Sequence, residues 1–335
     1  MKHPLKLGWK ASAEQFGPRR LLDFAVLAEE KGFDSVWVSD HYQPWRHTDG
    51  HAPFSLAWLG ALGERTRRVL MGTSVLTPTF RYHPAVVAQA FATLGVMYPG
   101  RVALGVGTGE SMNEVPVIGI EWPEFRERFR RLSEATRLIR QLWTEDFVEF
   151  DGDYYHVRGA TVYDRPEQPV PIYVGASGEV VARFAGRQGD GFICTSGKGP
   201  ELYRDKLLPA VREGAESAGR DFDSIEKTIE VKVSFDTDRS RALADTRIWA
   251  ALALPAEDKV QVHNPREMEE RATKVTDPER RWLVSDDPEE HVQQIQPYLS
   301  LGFTHLVFHH PGEDQARFLD LYSKEILPRL RKNRD

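Results

Sequence analysis

Short apolar runs rich in β-branched and aromatic residues recur along the chain. Each is followed by a stretch whose apolar positions fall at helical spacing, an alternation that predicts βα units around a parallel sheet. Eight such runs are present, at residues 5–10, 35–39, 69–73, 101–106, 171–175, 192–195, 229–235 and 304–309. Helical spacing covers 16–31, 54–65, 84–97, 122–144, 180–188, 200–219, 242–252, 288–301 and 314–331. In the first of these, Leu21, Leu22, Ala25, Val26 and Ala28 share one face before Gly32 ends the pattern. Eight strands alternating with helices predict an α/β fold, a closed (β/α)8 TIM barrel with insertions after several strands, spanning 1–335 as one domain. Two wound domains are the alternative, but no Pro/Gly/Ser-rich linker and no short internal repeat divides the chain.

Three connections, 42–51, 147–171 and 255–282, exceed ordinary loop length, and long connections in a compact domain are usually functional. The middle one alternates in polarity around Asp151-Gly152, which signals a hairpin. A barrel works at the carboxyl ends of its strands, so the residues that follow each strand carry the candidate chemistry. After the second strand come Asp40, His41 and Trp45; Asp40 suits either an N-cap or a site carboxylate, and His41 titrates near neutrality, where general acid–base work needs it. Trp45 offers an indole N–H to developing oxyanion charge, or simply packs. After the fourth strand, Gly105, Gly107 and Gly109 precede Glu110. A dinucleotide fingerprint would need glycine where Glu110 stands, so the series reads either as a tight turn or as a strand end with a flat ring close to the backbone. After the sixth strand, Thr195-Ser196-Gly197-Lys198-Gly199 has the free amides, hydroxyls and ammonium of a phosphate cradle without being a Walker sequence.

Composition narrows the function classes. The 44 bases against 50 acids leave a net charge of −6, which argues against nucleic acid as a partner and requires any anion to be held by a local cluster. The single Cys194 excludes an internal disulfide and any multi-cysteine metal site. A metal site built from the 11 histidines would want paired His or Asp ligands at several strand ends, but the first strand ends Lys10-Ala11-Ser12 without a His-x-His and His309-His310 has no carboxylate nearer in sequence than Glu313, so no metal is expected. The segment MKHPLKLGWKASAEQF lacks a signal-peptide core, and nowhere do 18 apolar residues run together, so the expectation is a cytoplasmic protein with no membrane partner.

The segments KLGWKASAEQF, VSDHYQPWRHTDGHAPFSLAW, GTSVLTPTFRYHPAVVAQAFATLG, GVGTGESMNE, GDGFICTSGKGPELY and HLVFHHPG, spread from end to end, resemble the F420-dependent glucose-6-phosphate dehydrogenases of the luciferase-like barrel superfamily. The resemblance implies a homodimeric barrel that oxidises the anomeric carbon of a small-molecule sugar phosphate and passes a hydride to the deazaflavin coenzyme F420. Position by position it implies cofactor contacts from Asp40, Ser74, Val75, Thr77, Gly107, Asn113, Ser177, Gly178, Val180 and Val181, with a cis peptide bond between Ser74 and Val75. His41, Trp45 and Glu110 match the catalytic group, and Thr195, Lys198, Lys259 and Arg281 match the residues that hold the sugar phosphate. The mechanism expected from this has His41 removing the anomeric hydroxyl proton, Trp45 supporting the developing charge and Glu110 supplying a proton, with His41 and Glu110 interchangeable. Val260 stands beside Lys259 where the family leads one to expect histidine, and the 112–120 loop and residues 146–167 diverge in detail; these departures bear on whether other sugar 6-phosphates are accepted. The alternatives are an F420- or FMN-dependent relative acting on another alcohol or reducible substrate, and a cofactor carrier without catalysis. Three cations favour the sugar phosphate, because an uncharged substrate has no use for them.

Overall fold

The computed structural model describes residues 3–255, 257–260 and 262–332; the side chain of Val260 lies outside the description. Eight parallel strands, β1 (Lys6–Ala11), β2 (Ser35–Val38), β3 (Leu70–Thr73), β4 (Val102–Val106), β5 (Ile172–Gly175), β6 (Gly191–Thr195), β7 (Glu226–Phe235) and β8 (His305–His309), pair each with the next. β8 also pairs with β1, with Trp9 opposite Phe308, which closes the (β/α)8 barrel. All eight apolar runs are therefore strands. β7 begins three residues before the apolar run because Glu226, Lys227 and Thr228, polar in sequence, are buried in the sheet.

Outside the barrel the differences are local. Val148–Asp151 and His156–Ala160 form the antiparallel hairpin that Asp151-Gly152 signals. A short strand, Leu283–Ser285, lies beside the outer end of β7. The helix Phe125–Thr144 starts later than its apolar pattern, since Pro123 disfavours helical backbone at Trp122. The 112–120 segment, expected as a loop, is mostly a helix, Ser111–Ile118, which Pro116 disguises in the sequence and left-handed Gly119 terminates. The long 255–282 connection carries helices Glu257–Val260 and Pro265–Ala272 and a single turn, Pro278–Arg281.

Side chains alternate in and out along each strand, so one set fills the barrel and the other meets the helices. Leu7, Trp9, Val36 and Val38 belong to the outer core, whereas Trp37, Ala103, Tyr173, Ile193 and Val307 pack together inside. Gly191 makes room for this inner plug; a Cβ there would lie 2.1 Å from the Tyr173 ring. The amino-terminal end of the barrel is closed by a polar knot on Glu226. Its carboxylate accepts from Lys6 Nζ at 2.8 Å and Tyr173 OH at 2.7 Å, and His305 Nδ1 lies 2.8 Å away. Burial opposes ionisation of Glu226, but His305 and Lys6 outweigh it and hold the carboxyl far below the usual range. Glu226→Gln is expected to cost about 3 kcal/mol in denaturant unfolding at neutral pH, because it leaves Lys6 and His305 without their acceptor. A carboxyl depressed on folding stabilises above its unfolded value, so the wild-type advantage shrinks as pH falls below 4.5, and the difference between the two proteins narrows there.

Candidate active site

At the carboxyl ends of the strands the barrel opens into a cleft of about 740 Å³. Asp40, His41 and Trp45 from the β2 loop line it, as do Ser74, Val75 and Thr77 after β3, Gly107, Glu110 and Asn113 after β4, and Ser177 after β5. Thr195 at the end of β6 and Lys198 just after it, with Lys259 and Arg281 from the 255–282 connection, complete the rim. The cleft thus brings together all but three of the residues singled out from sequence. Gly178, Val180 and Val181 stand aside at the start of helix Glu179–Gln188. Val181 is buried in the core, whereas the Val180 side chain is exposed, and the first-turn main-chain amides are unbonded within the helix.

His41 and Glu110 face each other, Nε2 to Oε2 at 3.8 Å, while the other ring nitrogen, Nδ1, lies 2.7 Å from the buried carboxylate of Glu14. Burial by itself would lower the His41 pKa; Glu14 outweighs it and raises the imidazole to about 9. Glu14 in turn, despite its burial, is drawn down to about 2 by His41 and Lys10. Sequence reading did not single out Glu14, which sits just past β1 within the segment KLGWKASAEQF; an acid three residues beyond a strand end is the local signal.

Asn113 organises this corner. Its Oδ1 accepts from the backbone amides of Tyr42 at 2.9 Å and Gln43 at 3.1 Å, and its Nδ2 donates to Glu110 at 3.3 Å. The loop carrying His41 and Trp45 is therefore pinned to the helix that carries Glu110. Trp45 packs against the small cluster of Met112, Ala251, Val262 and Met268, with Lys259 Nζ 5.7 Å from its ring centre. Asp40 does not cap a turn. It is buried, accepting from Ser55 Oγ, Tyr82 OH and Arg81, and Arg81 also binds Glu114.

The peptide bond between Ser74 and Val75 is cis. Lys10 Nζ donates to both Ser74 O and Ser74 Oγ, at 2.8 and 2.6 Å. Val75 projects between two glycines: a Cβ on Gly107 would lie 2.6 Å from its Cγ2, and one on Gly175 3.0 Å from its Cγ1. The space above Gly105 is taken by Thr73 O, 1.8 Å from where a Cβ would stand. Gly105 and Gly107 thus accommodate the neighbouring strand and Val75, while Gly109, at φ 85°, faces Thr77 and Trp122.

Across the cleft, Lys198, Lys259 and Arg281 have no carboxylate partner among the described residues. Burial and, next, the charge of Arg281 lower Lys198 and take Lys259 to about 8; burial lowers Arg281 itself. Arg281 Nε is buried without a hydrogen-bond partner. Gly197, at φ 79°, permits this approach, since a Cβ there would come within 2.7 Å of Arg281 O. Neighbouring Arg280 also lines the cleft but donates to Asp277 and to Ala253 O. Among the described residues no group of three or more His, Cys, Asp or Glu side chains is arranged to hold a metal ion, and no helix is long and apolar enough to cross a membrane.

The barrel with its strand-end cleft defines a class, and comparison specifies it: residues 3–305 match the luciferase-like monooxygenase family model, so the chain belongs to that family. A solved F420-dependent secondary alcohol dehydrogenase, in complex with an F420-acetone adduct, superposes with a TM-score of 0.93 at 36% identity over 98% of this chain and all of the other. A coenzyme F420-dependent tetrahydromethanopterin reductase from Methanopyrus kandleri shares the fold at a TM-score of 0.79 and 22% identity, with 98% of this chain and all of the other covered. Within the family the chain is a member of the F420-dependent glucose-6-phosphate dehydrogenases. It is 63% identical to the enzyme of that name from Nakamurella multipartita over 98% of this chain and 97% of the relative, and 62% identical to that of Nocardia farcinica over 98% of each.

Proposed function

We propose that this protein oxidises glucose 6-phosphate at its anomeric carbon, giving 6-phosphogluconolactone and reduced coenzyme F420. The observation that carries the substrate is the set of three cations, without a carboxylate partner among the described residues, opposite the His41–Glu110 pair, a local positive field on a net-acidic protein. A phosphate dianion satisfies Lys198, Lys259, Arg281 and the buried Arg281 Nε together, with Thr195 at the same rim, and this orients the sugar along the cleft. The cofactor fits the opposite wall: Val75 between Gly107 and Gly175 gives a firm backstop, Ser74 and Thr77 offer hydroxyls, Ser177 and Gly178 border open space, and the amides of Val180 and Val181 suit an anionic group. Coenzyme F420, when bound, supplies the hydride acceptor.

The chain's own groups divide the proton work. His41, an imidazolium held by Glu14, keeps a proton on Nε2, so Glu110 would be the base that receives the anomeric hydroxyl proton and His41 the acid that would supply the proton taken up, with the hydride, on reduction of F420. This is the exchanged form of the assignment that the sequence suggests. Asn113 acts through others, as a positioning residue for both groups, and Asp40 positions Arg81; Trp45 walls the reacting end and supports the charge that develops there. The working unit is a homodimer of single-domain protomers in the cytoplasm, with neither nucleic acid nor membrane as partner.

The direct test mixes purified protein with oxidised F420 and glucose 6-phosphate and follows the deazaflavin's visible absorbance, beside unphosphorylated glucose and Lys198→Ala. Bleaching that requires both the phosphate and Lys198 is the expected result. Bleaching with other sugar 6-phosphates would widen the substrate, and cofactor binding without bleaching by any of them would assign the site to a different alcohol.

A further inference from the structure

Between the three cations and His41 the floor of the cleft holds a second polar set, Lys10, Glu230, Lys232 and His309. Glu230 and Lys232 lie two apart on β7 and so share the inward face. All four line the cleft. Lys10 Nζ, Lys232 Nζ and His309 Nδ1 each lie 3.4 Å from a Glu230 oxygen, at the outer edge of hydrogen bonding. His309 is 3% exposed, and neither ring nitrogen has a hydrogen-bond partner; Trp249 and Trp282 hold its ring edge-on, with centroids 4.8 and 5.2 Å away. Lys10 is already held by Ser74, but Glu230, Lys232 and His309 are left loosely joined, which is costly for buried polar groups unless a polar ligand completes them.

Their placement says which ligand atoms those are. Lys232 is close enough to Arg281 and Lys259 for their charges to interact, and Lys10 likewise interacts with Glu14 and His41. The set therefore spans from the phosphate end of the cleft to the reacting end. In a hexose 6-phosphate the ring hydroxyls occupy that same interval. We infer that Glu230, Lys232 and His309 form the specificity-determining wall for the sugar ring, Glu230 accepting from a hydroxyl while Lys232 and His309 bond to its neighbours. This inference rests on the sugar-phosphate reading above.

The test uses Glu230→Gln and His309→Gln in the full-length protein. Steady-state kinetics are measured with glucose 6-phosphate and its 2-, 3- and 4-deoxy analogues, together with inhibition by inorganic phosphate and F420 affinity by fluorescence. Glu230→Gln is expected to raise KM for glucose 6-phosphate about ten- to a hundredfold, leaving phosphate inhibition and F420 affinity essentially unchanged. One deoxy analogue should be nearly insensitive to the substitution, because it lacks the hydroxyl that Glu230 accepts. His309→Gln should single out an adjacent position, and it carries the test if Glu230→Gln fails to bind F420 and so proves misfolded. Equal losses with every analogue, or phosphate inhibition that weakens in step with KM, would overturn the inference and make the set a support for the cation cradle. A wild type that ignores glucose 6-phosphate altogether would instead overturn the proposed function.

Discussion

Replacing His41 with alanine is expected to lower kcat about 10²- to 10⁴-fold, the range ordinarily supplied by one positioned acid or base, while F420 affinity stays near the wild-type value. The pH dependence distinguishes which of the two it is. Its pKa is raised to about 9, so His41 is protonated through neutral pH and loses its proton above that value. As the acid, it gives a kcat that is level at neutral pH and falls as pH rises through about 9. Glu14→Gln removes the charge that holds the proton, so this alkaline limb should move down toward the ordinary 6.5. Profiles of kcat at saturating substrate check both points. A kcat that climbs through about 9 would return His41 to the role of base and Glu110 to that of acid.

The second large effect is expected at the phosphate. Arg281→Met should raise KM for glucose 6-phosphate about a hundredfold with a much smaller change in kcat, since a charge-assisted bond to a dianion is worth roughly 1.5–3 kcal/mol and the phosphate is remote from the reacting carbon. The same field sets a pH limit on binding. In the free protein Lys259 sits at about 8 because burial and Arg281 both disfavour its charge, so it is neutral above that pH. KM should therefore rise above about pH 8, while kcat stays level until His41 titrates, because bound dianion restores the charge of Lys259. Initial rates across pH 6–10, with kcat and KM separated, test the split. A KM indifferent to both Arg281→Met and pH would remove the phosphate from this rim.

Much of this was readable from the residues. Most of the barrel strands follow from short apolar runs buried on both faces, although the run 229–235 alternates with Glu230 and Lys232, and the strand-end position of His41, Glu110 and Lys198 follows from the barrel itself. The hairpin at Asp151-Gly152 was equally plain, because its turn signal and its alternation agree. Glu14, Lys10, Glu230 and Lys232 were not legible as site residues. Each is a single charged residue in or beside a strand, and nothing local says whether such a residue faces the cleft or ends in solvent. Helix Ser111–Ile118 was hidden for a different reason: Pro116 speaks against a helix locally, while tertiary contacts such as Glu114 with Arg81 hold it in place.

The sequence by itself determined the strand pattern, the barrel and the kinds of chemistry waiting at its mouth, because these depend on periodicity and on residue type at strand ends. Only the tertiary structure decided the protonation of His41, the absence among the described residues of a carboxylate partner for Lys198, Lys259 and Arg281, and the use of Asn113 as a clamp and not simply as a contact. Those properties depend on distances of a few ångströms between residues far apart in the chain, such as the 2.7 Å from Glu14 to His41 and the 2.9 Å from the Tyr42 amide to Asn113. Charge interactions in a buried cleft change steeply over just that range, and it is the closing of the barrel that sets them.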